Sequence, residues 1–307
     1  MKREKEQAQM SHIKKSTASK VFDSCNAIFM ILFCISILFP LWDVIVRSLS
    51  RPQDISYMSL NLIPKEITLD AYTYCLENEG LFQALFVSIA RTALGTVIHL
   101  VVVSLAAYAL TRQQMPFKNL IQTFFLIPMF MSAGTIPVYI NMKNLGLTNS
   151  FLVYILPTSF SIFNCIIVRN YFYSIDKSME ESASIDGASQ VKIFQSIILP
   201  LSKPVLATVA LWQMVGQWNA WFDNMMYNQG NKKLLTLQYM LRRMLDRLNT
   251  SGSSGVSGVD AMGVTVDASE DTVKAAITVI VVLPIVCVYP FVQKYFVKGI
   301  MVGAVKG

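Results

Sequence analysis

Charge is scarce in this chain of 307 residues: Asp, Glu, Lys and Arg together make up only 15%, against about 25% in a soluble globular domain. The charges cluster and leave long apolar runs between them, so the solvent for much of the chain is lipid rather than water. The five cysteines, Cys25, Cys34, Cys75, Cys165 and Cys287, show no CxxC spacing. Four of them sit in or beside apolar runs, where cysteine acts as a small hydrophobe, so neither a disulfide framework nor a thiolate metal site is expected. A phosphate-cradling GxxxxGK[ST] loop is absent, and Lys306-Gly307 has no such loop before it, which argues against ATP hydrolysis by this chain. No HExxH, Ser/His or paired-aspartate arrangement stands at membrane depth, as an intramembrane enzyme would need. No internal repeat is visible, which speaks against an ion-coupled secondary transporter built from inverted halves. The net charge of +7 calls for no nucleic acid; cytoplasmic loops held against anionic headgroups account for it.

What is present is apolar length: 53% of residues are hydrophobic. Six segments reach the ~20 residues a helix needs to cross a hydrocarbon core, or come close to it. They run from Asn26 to Val46, Leu81 to Leu110, Leu120 to Ile140, Phe151 to Val168, Val205 to Trp221 and Val273 to Val292. The fold expected is therefore an all-α integral membrane protein with six transmembrane helices. Residues 1–25 form a basic cytoplasmic segment with Lys2, Arg3, Lys5, Lys14, Lys15 and Lys20. Its first apolar run is full length and ends in Pro40-Leu41-Trp42-Asp43 without a small-residue cleavage site, so an uncleaved span is expected. Residues 26–80 hold that span and an outer segment, and residues 293–307 form a cytoplasmic tail.

Lysine and arginine set the orientation. With the N-terminus inside, more of them fall in cytoplasmic stretches than outside, and the short loop from Arg112 to Lys118 decides it with the basic N-terminus. Lys232, Lys233, Arg242, Arg243 and Arg247 fall outside, in a long loop (228–272) that counts for little in this rule. That loop opens with a helix-like stretch, Leu234 to Leu248, and continues into a glycine/serine run, 251–258, with the composition of a flexible linker. Arg242, Arg243 and Arg247 read as a solvated helix face or as a surface for an extracellular binding protein.

The most informative stretch lies between the fourth and fifth spans, residues 175–200. It reads as two short amphipathic helices around a turn. Ser178 followed by Glu181 forms a capping box for the first. Asp186-Gly187 supplies a turn that needs positive φ. Val191, Phe194 and Ile197 or Ile198 make an apolar stripe on the second. Pro200 ends that helix and Pro204 begins the next span. Such a hairpin is too polar to span and too apolar on one side to stand free in water.

Glu181, Ser182, Ala183, Gly187, Ile197, Leu199 and Pro200 stand in the register Glu-Ala-Ala, three residues, Gly, nine residues, Ile, one residue, Leu-Pro, with Ser182 in place of the first alanine. This resembles the cytoplasmic EAA loop of binding-protein-dependent ABC permeases. Pro40-Leu41-Trp42, Trp218-Asn219-Ala220-Trp221 and the end from Lys298 to Gly307 are similar to maltose-type carbohydrate permeases, most of all to subunits of complex-sugar and polysaccharide importers. The resemblance implies a type-1 transmembrane domain over 81–292 in a bacterial cytoplasmic membrane, with both termini cytoplasmic. It implies docking of Glu181, Ser182, Ala183, Asp186, Gly187, Ile197, Leu199 and Pro200 onto a separate ATPase. It further implies a homologous permease subunit as heterodimer partner, two ATP-binding subunits and an extracellular solute-binding lipoprotein. ATP and Mg would be bound by the partner ATPase, with no cofactor in this chain, and the substrate would be an oligosaccharide or another, non-sugar solute.

Blander readings stand beside these. Glu181 serves equally as a helix cap. Arg91 and His99, eight residues apart in the second span, are either functional intramembrane groups or satisfied interhelical hydrogen bonders. Gln213, Trp218 and Asn219 suit a sugar path, since aromatic faces and amides match CH patches and hydroxyls; Trp221 fits an interfacial belt as well.

Overall fold

In hydrocarbon every backbone N–H and C=O must find its partner within the chain, and for apolar runs the helix is the way to do so. The computed structural model describes residues 17–55, 62–77, 80–131, 133–253 and 270–303. Among the described residues the regular elements are helical, with one isolated antiparallel bridge between Ser50 and Ile67. Lys2, Arg3, Lys5, Lys14 and Lys15, residues 254–258 of the glycine/serine run and the last residues of the tail, 304–307, lie outside the described residues.

In chain order the helices begin with α1 (Thr17–Ser48), α2 (Asp70–Glu77), α3 (Leu81–Thr111), α4 (Lys118–Phe130), α5 (Thr135–Asn144) and α6 (Ile162–Ser174). There follow α7 (Lys177–Ile185), α8 (Gln190–Leu201), α9 (Lys203–Asn219), α10 (Phe222–Tyr227), α11 (Leu237–Ser253) and α12 (Glu270–Gly303). Among the described residues two unbroken helices, α1 and α3, are long and apolar enough to cross a membrane; the pairs α4 with α5 and α8 with α9 qualify only as bent pairs.

The chain divides into two units, one built on α1 and the start of α12, the other holding α3 to α11 and the rest of α12. In the first, α1 exposes apolar side chains on all sides, among them Phe22, Phe29, Leu32, Ile35 and Leu38. A helix hydrophobic all round belongs in lipid or against other spans. The end of α1 is closed by hydroxyls, Ser48 donating to the Ile45 carbonyl and Ser50 to that of Val46, each at 2.7 Å. The Trp42 indole donates to the Leu62 carbonyl at 2.8 Å.

In the second unit α3 is the central rod, packed chiefly on α9 and α6. Val103 and Ala107 of α3 meet Cys165, Val168 and Phe172 of α6, Ile193, Phe194 and Ile198 of α8, and Val205 and Val209 of α9. Small residues set this closeness, since lipid offers no hydrophobic drive and packing alone must hold the helices. Ala107 has no exposure at all.

The structure departs from the expected spans where proline and glycine intervene. The third run is broken: α4 contains Pro128, and Gly134, at φ 82°, precedes α5. The fourth becomes helical only at Ile162, after a 3-10 turn over Phe151–Tyr154. Pro157 disfavours helical backbone at Leu156, and Ser161, accepting from the Asn164 N–H at 3.4 Å, opens α6. The fifth ends at Asn219, and a break at Ala220 and Trp221 precedes α10. The sixth runs longer than expected, from Glu270 to Gly303.

Candidate functional site

The hairpin formed by α7 and α8 carries the residues singled out by the sequence. Its first cap differs from expectation. Asp176, in extended backbone, accepts from the Ser178 N–H at 3.0 Å, so Ser178 lies inside the helix and the Ser178–Glu181 capping box does not form. A carboxylate at a helix N-terminus caps as well as a hydroxyl and gains from the helix dipole besides. Ser189 caps the second arm through the Lys192 N–H. Between the arms Gly187 takes φ 82°, with open space where a Cβ would stand, so backbone conformation and not crowding calls for glycine.

Pro200 does not end the second arm. Residues Phe194–Ile198 form a π-turn, after which the helix continues through Pro200 to Leu201. Widening the turn before a proline relieves the clash its ring would make with the carbonyl four residues back. The arm then stops at Ser202, and α9 leaves at 78° with Pro204 in its first turn.

The hairpin residues divide into two faces. Ala183, Ile197 and Leu199 pack against the cluster under α3, whereas Glu181, Ser182, Asp186, Gly187 and Pro200 are exposed. Exposed with them are Met179, Ile185 at 86% and Val191 at 64%. The tip thus sets exposed apolar side chains beside a glutamate. The neighbouring Glu180 has a different place. It pairs with Arg112, at the end of α3, with Nη1 to Oε2 at 2.5 Å and Nη2 to Oε1 at 3.0 Å.

A second constellation is buried at the other end of α3. Arg91, 1% exposed, donates from Nε and Nη2 to Gln217 Oε1 at 3.0 and 2.8 Å. It also donates to Asp223 Oδ2 at 2.6 Å and to the Ala220 carbonyl at 3.3 Å. One guanidinium thus holds the last turn of α9, the chain break and the first turn of α10. The Tyr154 ring covers it at 4.4 Å. Gln217 turns its own amide N–H to the Tyr154 carbonyl and to Thr158 Oγ1.

His99 sits next along the same face, with Nδ1 donating to the Thr158 carbonyl at 2.8 Å and Nε2 accepting from Asn164 Nδ2 at 2.9 Å. That pairing assigns the neutral tautomer with its proton on Nδ1. Arg91 and His99 are therefore satisfied interhelical bonders.

Of the sugar-path candidates, Gln213 donates to the same Thr158 carbonyl at 3.3 Å, one turn from Gln217. Trp218 is buried, its indole N–H donating to the Val281 carbonyl at 3.2 Å. Asn219 is exposed and accepts from Gln238 of α11 at 3.3 Å. The structure brings Gln213 to Gln217 and sends Asn219 elsewhere. Among the described residues no cluster of His, Cys, Asp and Glu could hold a metal. Gln217, Asp223 and Glu180 were not singled out by sequence, although Arg91 and Asp223, opposite charges in apolar surroundings, signal a pair.

Comparison with known proteins gives this arrangement its context. Residues 13–302 match the family described as "Binding-protein-dependent transport system inner membrane component". The chain belongs to that family. It is 36% identical over 98% of its length, and the whole of the relative, to Protein LplC of Bacillus subtilis (strain 168). It is 35% identical, over 94% of its length and 99% of the relative, to the polygalacturonan/rhamnogalacturonan transport system permease protein YtcP of the same organism. Among solved structures it is similar to a chain of a bacterial ABC transporter involved in the import of the acidic polysaccharide alginate, at 30% identity and TM-score 0.82, over 92% of this chain and 99% of that one. This family member is a multi-pass inner-membrane permease, a transport component and not a catalytic one.

Within it, the closest approach in the buried network is at Gly95, where an added Cβ would lie 2.8 Å from Gln217 Nε2. Gly95→Ala is expected to push Gln217 off Arg91 and Thr158 and to lower stability by about 1–3 kcal/mol, the usual cost of overpacking. Thermal unfolding of the purified protein in detergent checks this. An unchanged midpoint would mean that the Gln217 side chain swings aside without loss.

Proposed function

We propose that this chain is one of two different membrane subunits of an ATP-binding-cassette importer for oligosaccharides. The observation that carries this is the α7–α8 hairpin, with an inner face fixed to α3 and an outer face left for a partner, in a chain of this family. A homologous permease completes the pathway, two ATP-binding subunits hold ATP and Mg, and an extracellular solute-binding lipoprotein delivers the sugar. The polysaccharides named for the relatives support carbohydrate as the cargo. Six spans with both termini and the hairpin in the cytoplasm fit the lysine and arginine distribution. In that orientation a thiol placed at Asp186 reacts only with cytoplasmic reagents.

Transport proceeds by alternating access. The ATPases close on ATP, draw the hairpins together and turn the cavity outward, where the lipoprotein releases its load. Docking rests on Glu181, Ser182, Asp186 and Gly187 at the surface, with Ala183, Ile197, Leu199 and Pro200 shaping the arms. Glu181 accepts a charge-assisted hydrogen bond from a partner arginine. Gln213 and Asn219 are the amide-bearing candidates for the sugar path, with Trp218 beside them.

Glu181→Lys tests the assignment. A hydrogen bond to a charged group contributes about 1.5–3 kcal/mol, so the variant's association with the ATP-binding subunits should fall roughly 10- to 150-fold. Co-purification from membranes that contain equal amounts of inserted subunit measures it. Normal association would remove the hairpin from the docking surface.

A further inference from the structure

We propose that Arg112 is the positioning residue that ties the hairpin to α3, so that displacement of the hairpin becomes displacement of the whole rod. The inference rests on the docking role of the hairpin. Arg112 is the residue at which α3 ends; its backbone is extended and its N–H closes onto the Ala109 carbonyl at 3.1 Å. Its guanidinium reaches both arms. The fork engages Glu180 of α7 twice, and Nη1 also lies 3.4 Å from Gln190 Oε1, at the start of α8. Tyr108, one turn back on α3, lies under the guanidinium at 4.2 Å and donates its hydroxyl to the same Gln190 Oε1 at 3.0 Å.

Two planar groups on α3 thus grip one residue from each arm, and the turn between the arms is left outside the grip. A bidentate arginine fixes direction as well as distance, which a lysine at the same place does not. Burial disfavours the Arg112 charge, yet its hydrogen bond to Glu180 and the attraction between them outweigh this and push its pKa up. The two adjacent glutamates have separate tasks: Glu181 faces outward, while Glu180 holds the hairpin to the rod.

The rod leads somewhere definite. An α-helix of 31 residues is ~46 Å long, and the 21-residue separation of Arg91 from Arg112 is ~32 Å, about the thickness of a hydrocarbon core. Ten residues, or ~15 Å, short of its far end Arg91 brackets the break between α9 and α10. Between the two arginines, Val103 and Ala107 are closely packed, and such packing transmits strain instead of absorbing it. A shift of the clamp at Arg112 is therefore delivered to the outer break.

Thiol labelling of the assembled importer in membranes, before and after trapping with Mg·ATP and vanadate, tests this with two reporters. Ile185→Cys at the hairpin tip reads docking by its shielding, and Phe82→Cys, exposed at the far end of α3, reads movement of the rod. With the five native cysteines replaced by serine, since three of them are exposed, and with Arg112 and Glu180 kept, trapping is expected to change the labelling rate at 82. In Arg112→Glu the shielding at 185 persists while the response at 82 falls about tenfold, the scale of a contacting charged pair. The swapped pair Arg112→Glu with Glu180→Arg restores the response. Glu180→Gln, which keeps size and loses charge, gives the same reading as Arg112→Glu should that variant fail to insert. An undiminished response at 82 in these variants, no response in the chain that keeps Arg112 and Glu180, or failure of the swap to restore it overturns the proposal. Absence of shielding at 185 in the chain that keeps both instead overturns the docking reading beneath it.

Discussion

Asp223→Ala is expected to destabilise this permease by about 3–5 kcal/mol, the usual cost of removing one partner of a buried ion pair. The reason is what remains behind. Arg91 is 1% exposed and loses the carboxylate paired with it, so a charged guanidinium is left buried. Gln217, the Ala220 carbonyl and the Tyr154 ring still accept from it, which holds the loss toward the lower end of the range. Asp223→Asn keeps an acceptor and should cost less. The double change Arg91→Met with Asp223→Ala removes both charges and should recover part of the loss, because a buried pair contributes little net stability while half a pair is costly. Thermal unfolding in detergent, read for all three variants, separates these outcomes. If the double change is no more stable than Asp223→Ala, the cost lies in the chain break at Ala220 and not in the uncompensated charge.

That network also marks how far the sequence could be read. The apolar runs disclosed a membrane protein because hydropathy over some twenty residues is a sum, insensitive to any one of them. The turn at Gly187 was legible because a dipeptide that needs positive φ is a local feature. Helix ends were less so. Ser178 reads as the cap, and only the backbone path decides that Asp176 faces the open N–H groups. Pro200 reads as a terminator, yet a π-turn lets the helix carry it. The third and fourth runs are apolar enough to span, but Gly134 and Pro157 break them, and composition does not record where a helix must bend. The pairing of Arg91 with Gln217 and Asp223 joins positions more than a hundred residues apart, and no local pattern announces it. What could be read was that Arg91 needed a partner; which one depended on how α3 packs on α9. Likewise Glu180 and Glu181 are indistinguishable by type, and their separate surroundings come from the 100° turn that one residue makes around a helix.

Gly187→Pro is expected to abolish association with the ATP-binding subunits while leaving the subunit inserted in the membrane. Three costs add at this position. Proline holds φ near −65°, whereas the turn needs φ 82°. The Gly187 N–H, which bonds to the Ser184 carbonyl at 3.1 Å, is lost. The residue before a proline is driven toward extended backbone, yet Asp186 stands at φ −69° and ψ 2°. Together these exceed about 3 kcal/mol, more than a two-arm turn of this size can absorb without opening. Milder substitutions grade the argument. Alanine meets no atom within 4 Å at this site, so its penalty is purely conformational, about 1–2 kcal/mol, and asparagine, which tolerates the left-handed region, should fall below that. Insertion should survive in all three, because the turn is exposed and the cluster of Val103, Ala107, Phe172 and Ile198 holds the arms from beneath. Co-purification should therefore rank glycine first, then asparagine, alanine and proline. Equal association across the series would mean that the shape of this turn plays no part in docking, whatever the register of the residues around it.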